Sequence, residues 1–314
     1  MKVPGKEDIQ RAHSTVARFA HRTPVLTSQS VNKLLGCKIF LKCENFQKVG
    51  AFKFRGASNA VFSLPENLAQ KGVCTHSSGN HAAALALAAA IRGVPSYIVM
   101  PSNAPAIKRK AVEGYGAKIF TCEPTQEARE KELERVKIET GATFIHPYEN
   151  FDVICGQGTA SLELLEEVND LQAILTPVGG GGLFSGTLIY TKETNPQIKV
   201  YAGEPKNADD AFRSLRDGIL YPSVNPNTIA DGLRTSLCPL TLSVIQKYAD
   251  GILTVPEEAI VEAMRLVWER MKIIIEPSSA VPVAAVMQNP EMFAGKKVGI
   301  IISGGNVDVE QLPF

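Results

Sequence analysis

From Gly72 onward, short apolar runs rich in strand-forming residues alternate with helix-length patterns, and few architectures accept that order. Strands are expected over 72–76, 96–100, 118–122 and 143–147, with helices over 80–91, 104–114 and 125–140 between them. Two strands running in the same sense need a crossover of that length, so parallel βαβ units and an α/β fold follow. Thr125 can cap the last of these helices, although Ala128 cannot return the bond. The group reads as a compact inserted lobe over 71–149 with its own small sheet, leaving 1–70 and 150–314 as a larger lobe. There a second group begins with a strand over 173–178, a glycine run, a helix and a strand over 199–202. A helix over 256–272 starts at Pro256, where a missing N–H costs little, and a buried strand is expected over 297–302. No internal repeat or low-complexity tract interrupts the pattern.

Composition narrows the class. A chain of 314 residues can bury a substantial core in one or two domains. Its formal net charge is +1, with basic residues scattered, so no electrostatic stripe invites nucleic acid or an anionic membrane. The 6 cysteines include no Cys-x-x-Cys pair, and several, Cys74 among them, sit in apolar runs. Buried free thiols in a reducing compartment are expected. The opening Met1-Lys2-Val3-Pro4-Gly5-Lys6-Glu7 lacks the apolar core of a signal peptide, and no stretch reaches membrane-spanning length. A cytoplasmic location is therefore expected.

Chemistry concentrates at a few turns. Val178-Gly179-Gly180-Gly181-Gly182-Leu183 follows a buried strand and opens a helix, so its backbone N–H groups can converge on a phosphate, helped by the helix terminus. A merely flexible turn is the other reading. No Gly-Lys-Ser/Thr follows, which argues against a P-loop ATPase. Residues 45–56 set Lys53 among aromatic and glycine neighbours, where desolvation would favour the neutral amine that forms Schiff bases; taken alone, Lys53 would be a surface lysine. Thr75-His76-Ser77-Ser78-Gly79-Asn80-His81 lies where a strand ends and a helix begins, the usual ligand position in open α/β sheets. Helix capping by Ser77 or Ser78 is the alternative. Ser303-Gly304-Gly305-Asn306 follows the last strand in the same way.

Together these segments resemble the fold type II pyridoxal-5'-phosphate (PLP) enzymes, and within them the serine racemase and serine/threonine dehydratase group. Gly-Ala-Phe-Lys-Phe-Arg-Gly, Ser-Ser-Gly-Asn-His, the tetraglycine and Ser-Gly-Gly-Asn-Val-Asp occur in the family's order along nearly the whole chain. The resemblance implies a homodimer whose larger lobe holds the cofactor and whose smaller lobe holds the substrate. Lys53 would carry PLP covalently, with Phe52 beside the ring and Asn80 at the phenolic oxygen. Gly179, Gly180, Gly181, Gly182 and Leu183 would form the phosphate cup. Ser303 would meet the pyridine nitrogen, and since a hydroxyl lacks a carboxylate's charge, an unprotonated ring is expected. Lys53 would then act as base on one face of the Cα–H bond, and Ser78 would protonate the other. Two such groups favour racemisation, with loss of the β-hydroxyl to give a keto acid and ammonia as the competing outcome.

The substrate α-carboxylate would be held by Ser77, Asn80 and His81. Arg129 matches a position that reaches the active site in serine racemase-like proteins and could grip a second carboxylate; a place on a solvated helix face is equally open. In Glu204-Pro205-Lys206-Asn207-Ala208-Asp209-Asp210 the resemblance assigns the side chains of Glu204 and Asp210 and the Ala208 carbonyl to Mg²⁺ or Ca²⁺, against an acidic surface loop. Ala51, Ala82 and Tyr148 depart from the animal serine racemases. The Gly-Ala-Phe-Lys variant, Glu276-Pro277-Ser278-Ser279-Ala280-Val281-Pro282 and the Leu312-Pro313-Phe314 ending look more like microbial 3-hydroxyaspartate dehydratases. A cysteine-synthase-like β-replacement enzyme is disfavoured by Ser77-Ser78-Gly79-Asn80-His81. A noncatalytic metabolite-binding protein would leave Lys53 replaceable.

Overall fold

A computed structural model describes residues 2–104 and 106–314. Among them the strands are β1 (Val25–Leu26), β2 (Lys38–Cys43), β3 (Val73–His76), β4 (Ser96–Pro101), β5 (Lys118–Cys122), β6 (Thr143–Phe144), β7 (Ala173–Pro177), β8 (Lys199–Pro205), β9 (Gly251–Val255) and β10 (Lys297–Ile302). They form a 6-stranded sheet ordered β1-β2-β10-β7-β8-β9 and a 4-stranded sheet ordered β5-β4-β3-β6. All pairings are parallel except β1 with β2. The α/β expectation holds, and the strands of the smaller sheet all come from residues 73–144.

Burial explains the strand chemistry. Every residue of β7, and all of β10 except Lys297, is buried, as expected of central parallel strands covered by helices on both faces. Edge strand β5 is only partly covered and begins at exposed Lys118, a residue type that discourages edge pairing. Thr125 caps the helix Gln126–Thr140 by accepting from the Ala128 N–H at 3.1 Å. The helix expected over 104–114 is described as Ala106–Gly114, and Pro105 lies outside the described residues. Five cysteines are buried and Cys122 is partly so, all as free thiols. Among the described residues no helix is long and apolar enough to cross a membrane.

The helix Lys53–Ser63 is tied to the larger sheet by a buried ion cluster. The Arg55 guanidinium donates to both oxygens of Glu44, at 2.7 and 2.8 Å, and to both oxygens of Glu163, at 2.7 and 2.7 Å. Lys42 on β2 reaches Glu163 at 2.7 Å. Charges that deep are tolerated because each is paired and hydrogen-bonded. The result is a rigid start for the helix that carries Lys53.

Candidate active site

Strands β3, β7 and β10 deliver their C-terminal turns to one cavity of about 1050 Å³. Phe52, Lys53, Ser77, Ser78, Asn80, His81, Arg129, Gly179, Gly180, Gly181, Gly182, Leu183 and Ser303 all line it. Glu204, Ala208 and Asp210 lie elsewhere.

Lys53 opens its helix directly after Phe52, whose N–H donates to the Ser303 carbonyl at 2.9 Å. The ε-amine is half-buried and donates to the Pro147 carbonyl at 3.0 Å. Burial pushes it down to about 8, while the Glu276 carboxylate pulls weakly the other way. The amine thus stands in a cavity wall and not on the solvated surface. The Phe52 ring centroid lies 5.1 Å from Nζ, and Phe52 packs with Leu183, Ile301 and Ala160.

The tetraglycine is a packed turn, not a flexible one. Gly179, Gly180, Gly181, Gly182 and Leu183 are all buried. Gly181 caps the helix Gly182–Thr194 at φ 85°, a left-handed conformation that suits glycine. A side chain at Gly180 would meet the Tyr148 ring at 2.3 Å. Tyr148 is thus seated on the loop, and its ring packs edge-on against His146 with centroids 4.6 Å apart. The loop and helix start leave N–H groups suited to an anion.

On the β3 side, Gly79 is the N-cap of the helix Asn80–Arg92, with no side-chain capping bond. Ser77 Oγ accepts from the Gly79 N–H at 3.3 Å, so neither Ser77 nor Ser78 is spent as a helix cap. His81 Nε2 donates to the Ile145 carbonyl at 3.0 Å, and burial drives the imidazole down to about 3. Its ring is therefore neutral, and Nδ1 is a buried acceptor without a partner. The backbone N–H is the donor His81 has left for an anion. Arg129 lines the cavity half-buried, with Nε buried and no hydrogen-bond partner among the described residues. Arg135 on the same helix pairs with Glu132 and Glu139, and that is what the solvated face looks like.

Glu276 was not singled out as a site residue by the sequence. Its buried carboxylate lines the cavity, accepts from Asn80 Nδ2 at 3.2 Å and from the Asn306 N–H at 3.2 Å, and is pushed up to about 7 by burial, then by Asp231. Asn306 Nδ2 donates to Asn80 Oδ1 at 2.9 Å, which fixes the Asn80 amide. Asn80 and Glu276 are 196 residues apart, so no local pattern signals the contact. His146 and Pro147 were also missed; the Pro147 carbonyl that holds the Lys53 amine carries no side-chain signature.

Away from the cavity, Glu204 ends near the start of the helix Asp210–Asp217 and accepts the Ala211 and Phe212 N–H groups at 2.8 Å each. Among the described residues neither buried Asp210 carboxylate oxygen has a well-formed hydrogen bond, and burial raises that group to about 6 against a lowering pull from the nearby Ser223 hydroxyl. Among the described residues no group of three His, Cys, Asp or Glu side chains converges on one point. Orphaned oxygens of Asp210 nevertheless fit a hard cation that takes backbone carbonyl and water ligands as well.

A family model described as pyridoxal-phosphate-dependent enzyme matches residues 16–304. The chain belongs to that family. A β-hydroxyaspartate dehydratase from Paracoccus denitrificans is 48% identical over 314 residues, covering 100% of both chains. A serine racemase from Dictyostelium discoideum is 52% identical over 310 residues, covering 98% of this chain and 96% of the relative. Its crystal structure matches with a TM-score of 0.94 over 97% of this chain and 99% of that one. The crystal structure of a T.th. threonine deaminase matches with a TM-score of 0.93 at 41% identity, covering 97% and 99%. The fold is that of these PLP enzymes.

Proposed function

We propose that this enzyme labilises the α-hydrogen of small β-hydroxy amino acids, racemising serine, dehydrating serine or threonine to a keto acid and ammonia, or both. The observation that carries the reading is the Lys53 amine, half-buried and lowered to about 8 in the same cavity as the Ser78 hydroxyl and the tetraglycine turn. The similarity to a serine racemase and a β-hydroxyaspartate dehydratase supports it. When bound, the cofactor supplies an electron sink that makes the Cα–H bond acidic. Lys53 holds PLP and then serves as base on one face. Ser78 delivers a proton to the opposite face. Gly179, Gly180, Gly181, Gly182 and Leu183 would take the phosphate, Phe52 would flank the ring, Asn80 would donate to the phenolic oxygen and Ser303 would meet the pyridine nitrogen. The Ser77 hydroxyl and the N–H groups of Asn80 and His81 hold the substrate α-carboxylate.

Arg129 favours a second reading in which 3-hydroxyaspartate dehydration is the main activity. A cavity-lining guanidinium whose Nε is buried without a partner suits a β-carboxylate. A product assay with the stereoisomers of serine, threonine and 3-hydroxyaspartate separates the two readings. PLP uptake is followed by absorbance; a Lys53→Ala protein that still forms a borohydride-reducible adduct would defeat both.

The reading extends to Mg²⁺ or Ca²⁺ held by Glu204, the Ala208 carbonyl and Asp210. Either ion should raise the melting temperature of the protein and leave Asp210→Asn unmoved. It also takes residues 71–149 as the substrate-binding lobe against a PLP-binding remainder, a homodimer that gel filtration would reveal, and a cytoplasmic location.

A further inference from the structure

The turn after β6 brings three successive residues to the cavity. The Ile145 carbonyl accepts from the His81 ring at 3.0 Å, and the Pro147 carbonyl accepts from the Lys53 amine at 3.0 Å. Between them stands His146, which lines the cavity. Its Nδ1 meets two backbone N–H groups of its own turn, that of Glu149 at 2.8 Å and that of Tyr148 at 3.3 Å. A ring nitrogen approached by N–H donors must offer its lone pair, so Nδ1 carries no proton and the neutral ring keeps its proton on Nε2. Protonating Nδ1 would forfeit both bonds. Burial, then His76 and Lys53, also oppose the charged ring and push the imidazole down to about 4. The rings of Phe144 and Tyr148 pack edge-on against it, with centroids 5.5 and 4.6 Å away, so its orientation is fixed. Among the described residues Nε2 has no hydrogen-bond partner, yet that atom is not sealed off from water.

We propose that His146 is a specificity-determining residue: its Nε2–H, locked in that tautomer by its own turn, donates to the β-oxygen of the substrate. The inference rests on the proposed reading of this cavity as the place where the α-hydrogen is labilised. The Cα of an amino acid carries four substituents. On that reading the hydrogen and the amine face Lys53 and the cofactor, and the carboxylate faces the turn from Ser77 to His81. His146 is flanked by the carbonyl bonded to His81 and the carbonyl bonded to Lys53, so the substituent left for it is the side chain. A neutral N–H suits a neutral oxygen, whereas an anionic side chain is better served by the Arg129 guanidinium of the same cavity. Serine, threonine and 3-hydroxyaspartate share the β-oxygen, and alanine lacks it. With Nδ1 engaged, His146 holds that oxygen without exchanging a proton with it. It sorts substrates and leaves the proton transfers at Cα to Lys53 and Ser78.

The test compares α-hydrogen exchange into deuterated water for serine and for alanine, on the holoenzyme of the unmodified protein and of His146→Asn. The shorter amide keeps an oxygen near the place of Nδ1 for the two turn N–H groups and removes the donor. Serine exchange should fall about tenfold relative to alanine exchange, the worth of one hydrogen bond. Equal losses on both amino acids, or no loss on either, overturn the proposal. If His146→Asn does not hold the cofactor, His146→Gln decides: its amide nitrogen reaches the place of Nε2, so the preference for serine must survive, and its disappearance counts against the donor. Nitrogen NMR of the holoenzyme with labelled histidine checks the tautomer. The ring signals that vanish in either variant should be those of a neutral imidazole protonated on Nε2; a proton on Nδ1, or an imidazolium at neutral pH, overturns the proposal. An unmodified holoenzyme that exchanges the α-hydrogen of neither amino acid defeats the proposed activity, and this proposal with it. Exchange of both that His146→Asn does not separate defeats this proposal alone.

Discussion

Arg55→Leu should remove a large share of the folding free energy without touching a cavity-lining side chain. The cluster carries two positive charges, Lys42 and Arg55, against two negative ones, Glu44 and Glu163. Leucine leaves Glu163 with Lys42 at 2.7 Å, but Glu44 keeps only the Thr23 hydroxyl at 2.5 Å. One carboxylate is then buried without a counter-ion, a lesion that costs about 3–5 kcal/mol. A domain's net stability is typically about 5–15 kcal/mol, so the loss is plain in urea unfolding of the holoenzyme at neutral pH. Arg55→Lys should recover little, because one ammonium cannot span both carboxylates in forked geometry. The pH dependence has a fixed sign. Burial alone would raise Glu163, but Arg55 and Lys42 outweigh it and hold the group below the usual carboxylate range. A depressed carboxylate adds stability above its unfolded value and loses it as pH falls through the folded one, so the gap between the two proteins should narrow below about pH 4. A loss under about 1 kcal/mol, the worth of an exposed pair, would refute the reasoning.

Other outcomes follow from the site. PLP capture by the cofactor-free protein should accelerate as pH rises through about 8, where the Lys53 amine loses its proton, and a midpoint near that of an ordinary lysine would contradict the burial argument. Arg129→Ala should depress turnover of 3-hydroxyaspartate by roughly tenfold or more while sparing serine, given about 1.5–3 kcal/mol for a charge-assisted hydrogen bond; equal losses on both substrates reject a second-carboxylate role. The Lys108–Asp231 pair, at 2.7 Å, joins the helix Ala106–Gly114 to the short helix Asp231–Leu233 at the cavity lining. Both partners are partly exposed, so Asp231→Asn should cost at most about 1 kcal/mol of stability. It should raise KM severalfold, with added salt reproducing the effect in the unmodified enzyme; a KM indifferent to both would show that the pair does not hold the cavity wall in place.

The parallel strands were legible because their chemistry is local: β7 and β10 are buried on both faces and read as unbroken apolar runs. Strand β2 was harder, since Lys42 faces the interior and its partner Glu163 lies far along the chain. The helix Phe151–Glu167 holds Gly156 and Gly158, poor helix formers that tertiary packing overrides. At the site, motifs with a turn signature were found. Groups whose role depends on distant neighbours, such as Glu276 on Asn80, were not. The His81 imidazole shows the limit from the other side: the motif marks it as polar, but only the Ile145 carbonyl reveals that its proton is already used.

On the proposed reading Lys53 and Ser78 move the protons, and their places beside the ends of different sheets bear on which product forms. Lys53 follows Ala51, which bridges to Gly304 beyond β10, whereas Ser78 stands in the turn after β3 of the smaller sheet. Lys53 is held on one side by the Arg55 cluster and on the other by the Phe52–Ser303 backbone bond. Among the described residues Ser78 has no comparable tether, and the bonds of its neighbour Ser77 run to Val99 and within its own turn. The proposed base is therefore anchored, while the proposed donor on the opposite face depends on the position of the turn after β3. A tenfold change in a rate corresponds to about 1.4 kcal/mol, about the net worth of a single hydrogen bond. Small shifts of the smaller lobe are then enough to move the balance between racemisation and loss of the hydroxyl, with the chemistry at Lys53 unaltered.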